Sequence, residues 1–216
     1  MADRADAGGG GTAEAEAGAG RRSRRKARTR AALLEAGRRL LAERGPAETT
    51  IAEITARADL GFGTFYLHFG SKDELVEAVV AEGVAELVAA LDHGTAGLDD
   101  PVERHRAAVR AYLRFAHDHG DLVRVVLRTA PARADLEQRF HQPLRERIEA
   151  FLRTGEAAGE VPAGSVELRT AMILACLRWM GLWWKDHDEP DPERVADELI
   201  AFVESGIRQP ETPATT

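Results

Sequence analysis

The stretch from Thr50 to Leu75, TIAEITARADLGFGTFYLHFGSKDEL, limits what this chain can fold into more than any other, because it holds two helix-start signatures close together. Thr50 precedes Glu53 by three residues and Ser71 precedes Glu74 by three, the composition of a reciprocal capping box in which hydroxyl and carboxylate satisfy backbone N–H groups. Ile51, Ile54 and Ala58 then share one face of a short helix, which Asp59-Leu60-Gly61 breaks. A second short helix is predicted over roughly Phe62 to His68. Upstream, Leu33, Gly37, Leu40 and Leu41 recur at helical spacing between Thr29 and Arg44, and Gly45-Pro46 supplies the stop. Downstream, Ser71 opens a long helix whose apolar face carries Leu75, Val76, Val79, Val80, Val84, Leu87, Val88 and Leu91. Gly83 in its middle reads either as a bending point or as a site of close packing.

Two short helices joined by a tight turn, with a capped helix behind them, have the architecture of a helix-turn-helix. Phe65 and Phe69 face inward with Leu60 and Ile54, which leaves Phe62, Thr64, Tyr66 and His68 for the side that could enter a major groove. Gly61 and Gly63 keep the start of that helix low. Beyond Gly94 the pattern stays helical, without strand-like alternation, over Pro101 to His119, Asp121 to Thr129, Ala134 to Gly155 with a break or kink at Pro143, Ser165 to Asp186, and Pro192 to Arg208. Asp100-Pro101 and Asp191-Pro192 each set an N-cap acid before a proline at the first helical position. The fold class is therefore all-α.

The formal charge of −7 conceals an asymmetry. Residues 1–20 net −3, residues 21–75 carry twelve Lys and Arg against seven Asp and Glu, and residues 76–216 net −9. A polyanion is drawn to the 21–75 region and repelled by the rest. Residues 1–20, almost wholly Ala, Gly, Asp and Glu, offer no large apolar side chain to offset ordering and are expected to be a disordered tail. Arg21 to Arg30 is a dense basic block, in which Arg24, Arg25, Lys26 and Arg28 form either a DNA-contacting arm or a solvated flank. The lone Cys176 excludes an intrachain disulfide and a cysteine-built zinc site. The longest apolar run, Ala171 to Trp184, is interrupted by Arg178 and falls short of the roughly 18 residues a spanning helix needs. No membrane association and a cytoplasmic setting are expected.

The T-x-x-x-I and G-T-F-Y-x-H-F-x-S-K-D-E-L elements closely resemble the signature of TetR-family regulators over Thr29 to Leu75. That resemblance implies an N-terminal helix-turn-helix DNA-binding domain, residues 21–75, and a C-terminal helical effector-binding and dimerisation domain, residues 76–210, followed by a tail over 211–216. It implies that Thr50, Tyr66, His68 and Lys72 contact phosphates while Phe62, Gly63 and Thr64 lie against base edges of a double-stranded operator. Three positions depart from the family pattern. Ala52 stands where a base-contacting polar residue is common, Asp59 replaces the turn glycine, and Gly61 replaces a Ser or Thr cap. Direct readout is then thin, and discrimination leans on the basic arm, DNA shape and contact of Phe62 with a thymine methyl.

The resemblance also implies a homodimer joined through the last two helices, a palindromic operator, and a repressor released by a small hydrophobic effector. Between Ser165 and Asp186 the helix is apolar nearly all round, as burial against both a core and a partner would require, and Val195, Leu199, Phe202 and Val203 add a second stripe. Tyr112, Phe115, Phe140, Phe151, Met172, Cys176, Trp179 and Trp183 could line an effector pocket with Arg178 or His117 as its polar anchor, or could be ordinary core. His105, His117, Asp118 and His119 read as a polar helix end before a metal site, and neither metal nor cofactor is expected. An all-helical enzyme is the rival class, but the chain contains no Glu-x-x-His, no phosphate-binding glycine loop and no Gly-x-Ser-x-Gly elbow. An effector-independent DNA-binding protein would not need so large and aromatic a body.

Overall fold

A computed structural model describes residues 10–185, 187 and 191–207, and among them every regular element is an α-helix. In chain order these are α1 (Gly10–Arg44), α2 (Ile51–Arg57), α3 (Phe62–Phe65), α4 (Lys72–Thr95), α5 (Pro101–Asp118), α6 (Gly120–Thr129), α7 (Ala134–Ala158), α8 (Val166–Lys185) and α9 (Pro192–Ile207). None of them is long and apolar enough to cross a membrane. Residues 1–9 and the 211–216 tail lie outside the described residues.

Residues 10–20, expected to belong to a disordered tail, are instead the first turns of α1. Alanine recurs through this stretch and is the strongest helix former, and a helix already nucleated downstream extends at little further cost. Extension does not require a core: the first buried side chain described on α1 is Leu33. α3 is shorter than expected. After Phe65 the chain tightens into a turn, with Leu67 N–H donating to Thr64 O at 3.2 Å and His68 N–H to Phe65 O at 2.9 Å.

Both predicted caps hold their helices, in different ways. At α2 the Thr50–Glu53 box is complete. At α4 it is half formed: Ser71 Oγ accepts from Glu74 N–H, but the Glu74 carboxylate accepts from Gly70 N–H instead. Asp100 caps α5 by accepting from Glu103 N–H at 2.8 Å. α7 runs on through Pro143 rather than breaking there. Leu136, Phe140, Leu144, Ile148 and Leu152, spaced four apart and all buried, outweigh the single hydrogen bond a proline removes.

The head, formed by α1 to α3 and the start of α4, closes over Leu33, Leu41, Ile54, Phe65, Phe69 and Leu75, all at most 2% exposed. In the body α4 packs against α5 and α7, α8 against α7 and α5, and α9 against α5, and the body joins the head mainly through α1 against α6 and α4. Arg38 of α1 clasps Asp121 at the start of α6 with two hydrogen bonds of 2.7 and 3.0 Å and approaches Glu86 of α4 at 3.4 Å. Gly83 sits under α6: a Cβ there would lie 2.3 Å from Cδ2 of the fully buried Leu122. Of the two readings of Gly83, the structure supports close packing.

Candidate nucleic-acid interface

The turn between α2 and α3 depends on Asp59, whose φ of +55° places it in the left-handed region usually taken by glycine. Aspartate is among the few other residues that tolerate it. Leu60 N–H reaches back to Thr55 O at 2.9 Å, and Gly61 then enters α3 without a side-chain cap. Phe65 and Phe69 anchor α3 from beneath, their rings 5.6 Å apart, and leave the opposite side outward. Phe62 is 54% and Tyr66 52% exposed, with their rings edge-to-face at 5.7 Å. Thr64 is half-buried beside them, and Gly61 and Gly63 are exposed. A Cβ on Gly63 would meet nothing within 4 Å, so internal packing does not demand glycine there. The low profile matters only to whatever docks on this face.

Thr50 caps the exposed start of α2, where its hydroxyl accepts from Glu53 N–H at 3.2 Å. Ion pairs Arg44–Glu53 and Arg57–Glu43, each 2.7 Å, fix α2 to α1. Lys72 donates from Nζ to the carbonyls of Pro46 and Thr49, the latter at 2.8 Å. Its ammonium thus ties the loop before α2 to the start of α4, a structural duty that sequence patterning did not reveal. His68 is half-buried; burial lowers its pKa, and Lys26 and Arg30 lower it further, so the ring is neutral near pH 7. Arg24, Arg25, Lys26 and Arg28 are exposed on α1. Arg30 joins that basic helix to the head, with its guanidinium 5.1 Å from the Phe69 ring centre and paired to Glu82 at 3.1 Å. Both partners lie far along the chain, so no local signal exposed the contact.

The residues considered for an effector pocket do not converge. Tyr112, Phe115 and Phe140 are core, at most 4% exposed; the Tyr112 hydroxyl meets His141 Nε2 at 3.2 Å. Met172 and Trp179 stand on the outer face of α8, Cys176 is half-buried, and Arg178 pairs with Glu137 at 2.9 Å. His117 is exposed beside Asp118. Trp183 borders a hollow of about 460 Å³ against Val195, Leu199 and Phe202 of α9. Only Phe151 lines the cavity of about 330 Å³ between the end of α4, the start of α5 and α7, with Thr95, Arg104, His105, Ala108 and Arg147. His105 stacks flat on Phe151 at 4.1 Å, and burial pushes its pKa down to about 4. Helical periodicity marks Tyr112, Phe115, Phe140 and Phe151 as inward, but does not separate a filled interior from a void.

Two family models match the chain: bacterial regulatory proteins of the tetR family over residues 33–79, and the tetracyclin repressor-like C-terminal domain over residues 98–207, just over half of the chain. The HTH-type transcriptional repressor Rv3405c of Mycobacterium tuberculosis is 52% identical over 50 residues, which cover 23% of this chain and 27% of that protein. The chain thus aligns with about a quarter of the length of that relative. Among solved structures, the regulator FadR from Bacillus subtilis in complex with stearoyl-CoA superposes with a TM-score of 0.70 at 18% identity, covering 82% of this chain and 98% of that one. The ketosteroid regulator KstR2 of Mycobacterium tuberculosis superposes at 0.68 with 26% identity, covering 84% and 95%.

Proposed function

Since the chain belongs to the tetR family of bacterial regulatory proteins, a family of DNA-binding transcriptional regulators and not of enzymes, we propose that it works as a cytoplasmic homodimeric repressor released from a palindromic operator by a small effector. The observation that carries the reading is the outward face of α3. Phe62, Tyr66 and Gly63 are exposed on a helix whose other side is pinned by Phe65 and Phe69, so it presents a rigid, shallow surface to a groove. Tyr66, His68, Thr50 and Lys72 flank that surface and would meet phosphates, and the basic turns of α1 would extend the contact.

A second copy would supply the other recognition helix. Leu168, Met172 and Trp179 form an exposed apolar stripe on α8, and Phe202 continues it on α9. Water-facing apolar side chains at this density suit a permanent interface between subunits. Two relatives in fold, one solved in complex with stearoyl-CoA and one named a ketosteroid transcriptional regulator, support an organic effector in the body, with the α4–α5–α7 cavity as its place.

Selection of bound sequences from random duplex DNA tests the reading, with a two-fold symmetric consensus as the expected result; recovery of no enriched motif would sink it. Tyr66→Phe should weaken binding to every sequence by a similar factor of several-fold, whereas Thr64→Ala should change which bases are preferred. Fluorescence anisotropy against a panel of single-base operator variants separates these outcomes. Removing residues 1–28 should cost about tenfold in affinity and flatten the salt dependence, because Arg21, Arg22, Arg24, Arg25, Lys26 and Arg28 leave with it. Removing 1–20 should not. Identical binding by the two truncations would show the basic turns of α1 to be a solvated flank.

A further inference from the structure

We infer that the α4–α5–α7 cavity takes a small planar carboxylic acid, an aromatic or conjugated anion, with its carboxylate on Arg104 and its ring against the Phe151–His105 wall. This rests on the reading of the body as the effector domain. Three observations select the ligand chemistry.

The first is charge. Two guanidinium groups border the cavity, and they differ. Arg147 is neutralised by Asp92 and also donates to Pro143 O. Arg104 donates from Nε and Nη2 to the single carbonyl of Leu98, at 2.9 and 2.6 Å, and has no carboxylate partner among the described residues. Two of the acids that flank Arg104 along the chain are engaged: Asp100 caps α5, and Glu103 pairs with Arg106 at 2.7 Å. One carbonyl aligns the Arg104 fork without cancelling its charge, which leaves donors suited to a carboxylate.

The second is shape. Ala108, Ala150 and Pro101 keep the walls thin, and the Phe151 and His105 rings, stacked on each other at 4.1 Å and 6° from parallel, leave only an outer ring face and their paired edges to a ligand. A flat ring stacks or packs on its edge there, whereas a bulky aliphatic cage would not. The third is size. About 330 Å³ is at the small end of the ligand-pocket range of roughly 300–1,000 Å³, which favours one or two fused rings over a long acyl chain with a nucleotide. His105 is neutral at pH 7, because its pKa lies near 4, so its imidazole can hydrogen-bond a ring substituent without adding a second charge.

The full-length protein is tested with 2-naphthoate, its neutral amide 2-naphthamide, and stearoyl-CoA, by thermal shift and calorimetric titration. Expected are stabilisation by 2-naphthoate, affinity for the amide lower by tenfold or more, and loss of that preference in Arg104→Met with partial recovery in Arg104→Lys. Equal binding of acid and amide, an acid preference that persists in Arg104→Met, binding of stearoyl-CoA alone, or no stabilisation by 2-naphthoate at millimolar concentration would each overturn the assignment. Arg104 is exposed and bonded only to the Leu98 carbonyl, so folding of its variants can be verified from their unliganded melting temperature. Operator binding of the same samples is measured separately. A protein that binds 2-naphthoate through Arg104 yet binds no selected DNA refutes the regulator reading and leaves the site standing, while the reverse result refutes only the site.

Discussion

Replacing Trp179 with glutamate should convert the protein to a monomer and lower operator affinity by a hundredfold or more. Trp179 is 65% exposed in the single chain, so the folded protomer loses little by the change. What it loses is a large aromatic surface on the α8 stripe, where a buried carboxylate in each subunit of a dimer would find no compensating partner. The effect on DNA arises without the loss of any base contact. With both recognition helices on one particle, the second half-site is bound at a high effective concentration, and separating them removes that gain without touching the head. Phe202→Glu, on α9, should behave the same way. Sedimentation at micromolar concentration and anisotropy on a full and a half operator supply the measurements. A Trp179→Glu protein that stays dimeric and keeps its affinity would place the subunit contact elsewhere.

The head was legible in the sequence because its determinants are local. Thr50 and Glu53 cap within one turn, Phe65 and Phe69 are one turn apart, and a single residue, Asp59, takes the backbone conformation on which the turn depends. The body was legible only as helices. Their boundaries followed from Asp100, Pro101 and the apolar repeats, but whether Phe115 or Phe151 faces a void depends on which helix lies opposite, and neighbouring residues carry no record of that. The same limit hid the contacts that join head to body. Arg38 and Asp121 are 83 residues apart, and each alone reads as an ordinary surface charge. The extension of α1 back to Gly10 was missed for the opposite reason: absence of a core argues against folding, yet alanine needs no core to continue a helix.

Gly83 is where these long-range contacts can be tested. By helix propensity alone, Gly83→Ala should stabilise the middle of α4 by up to about 1 kcal/mol. The added methyl would, however, sit 2.3 Å from Cδ2, 2.7 Å from Cδ1 and 2.9 Å from Cγ of Leu122, a fully buried side chain with no room to swing aside. Overpacking of this kind costs about 1–3 kcal/mol, which exceeds the propensity gain, so the variant should be less stable and melt several degrees lower. Leu122→Ala should itself cost about 2–5 kcal/mol by opening a cavity. In that background the Gly83→Ala methyl enters vacated space, so its effect should turn neutral or favourable, a coupling above about 1 kcal/mol between the two sites. The strain would also reach the head, because Leu122 follows Asp121, the residue that holds Arg38 of α1. A shift of α6 therefore pulls on the helix that carries the basic turns, while α4 itself runs from Lys72 in the head to Thr95 at the cavity. Calorimetric melting of the four proteins in the cycle decides the matter: a higher melting temperature for Gly83→Ala alone would mean that α4 and α6 are less tightly packed than described, and would return Gly83 to the role of a bending point.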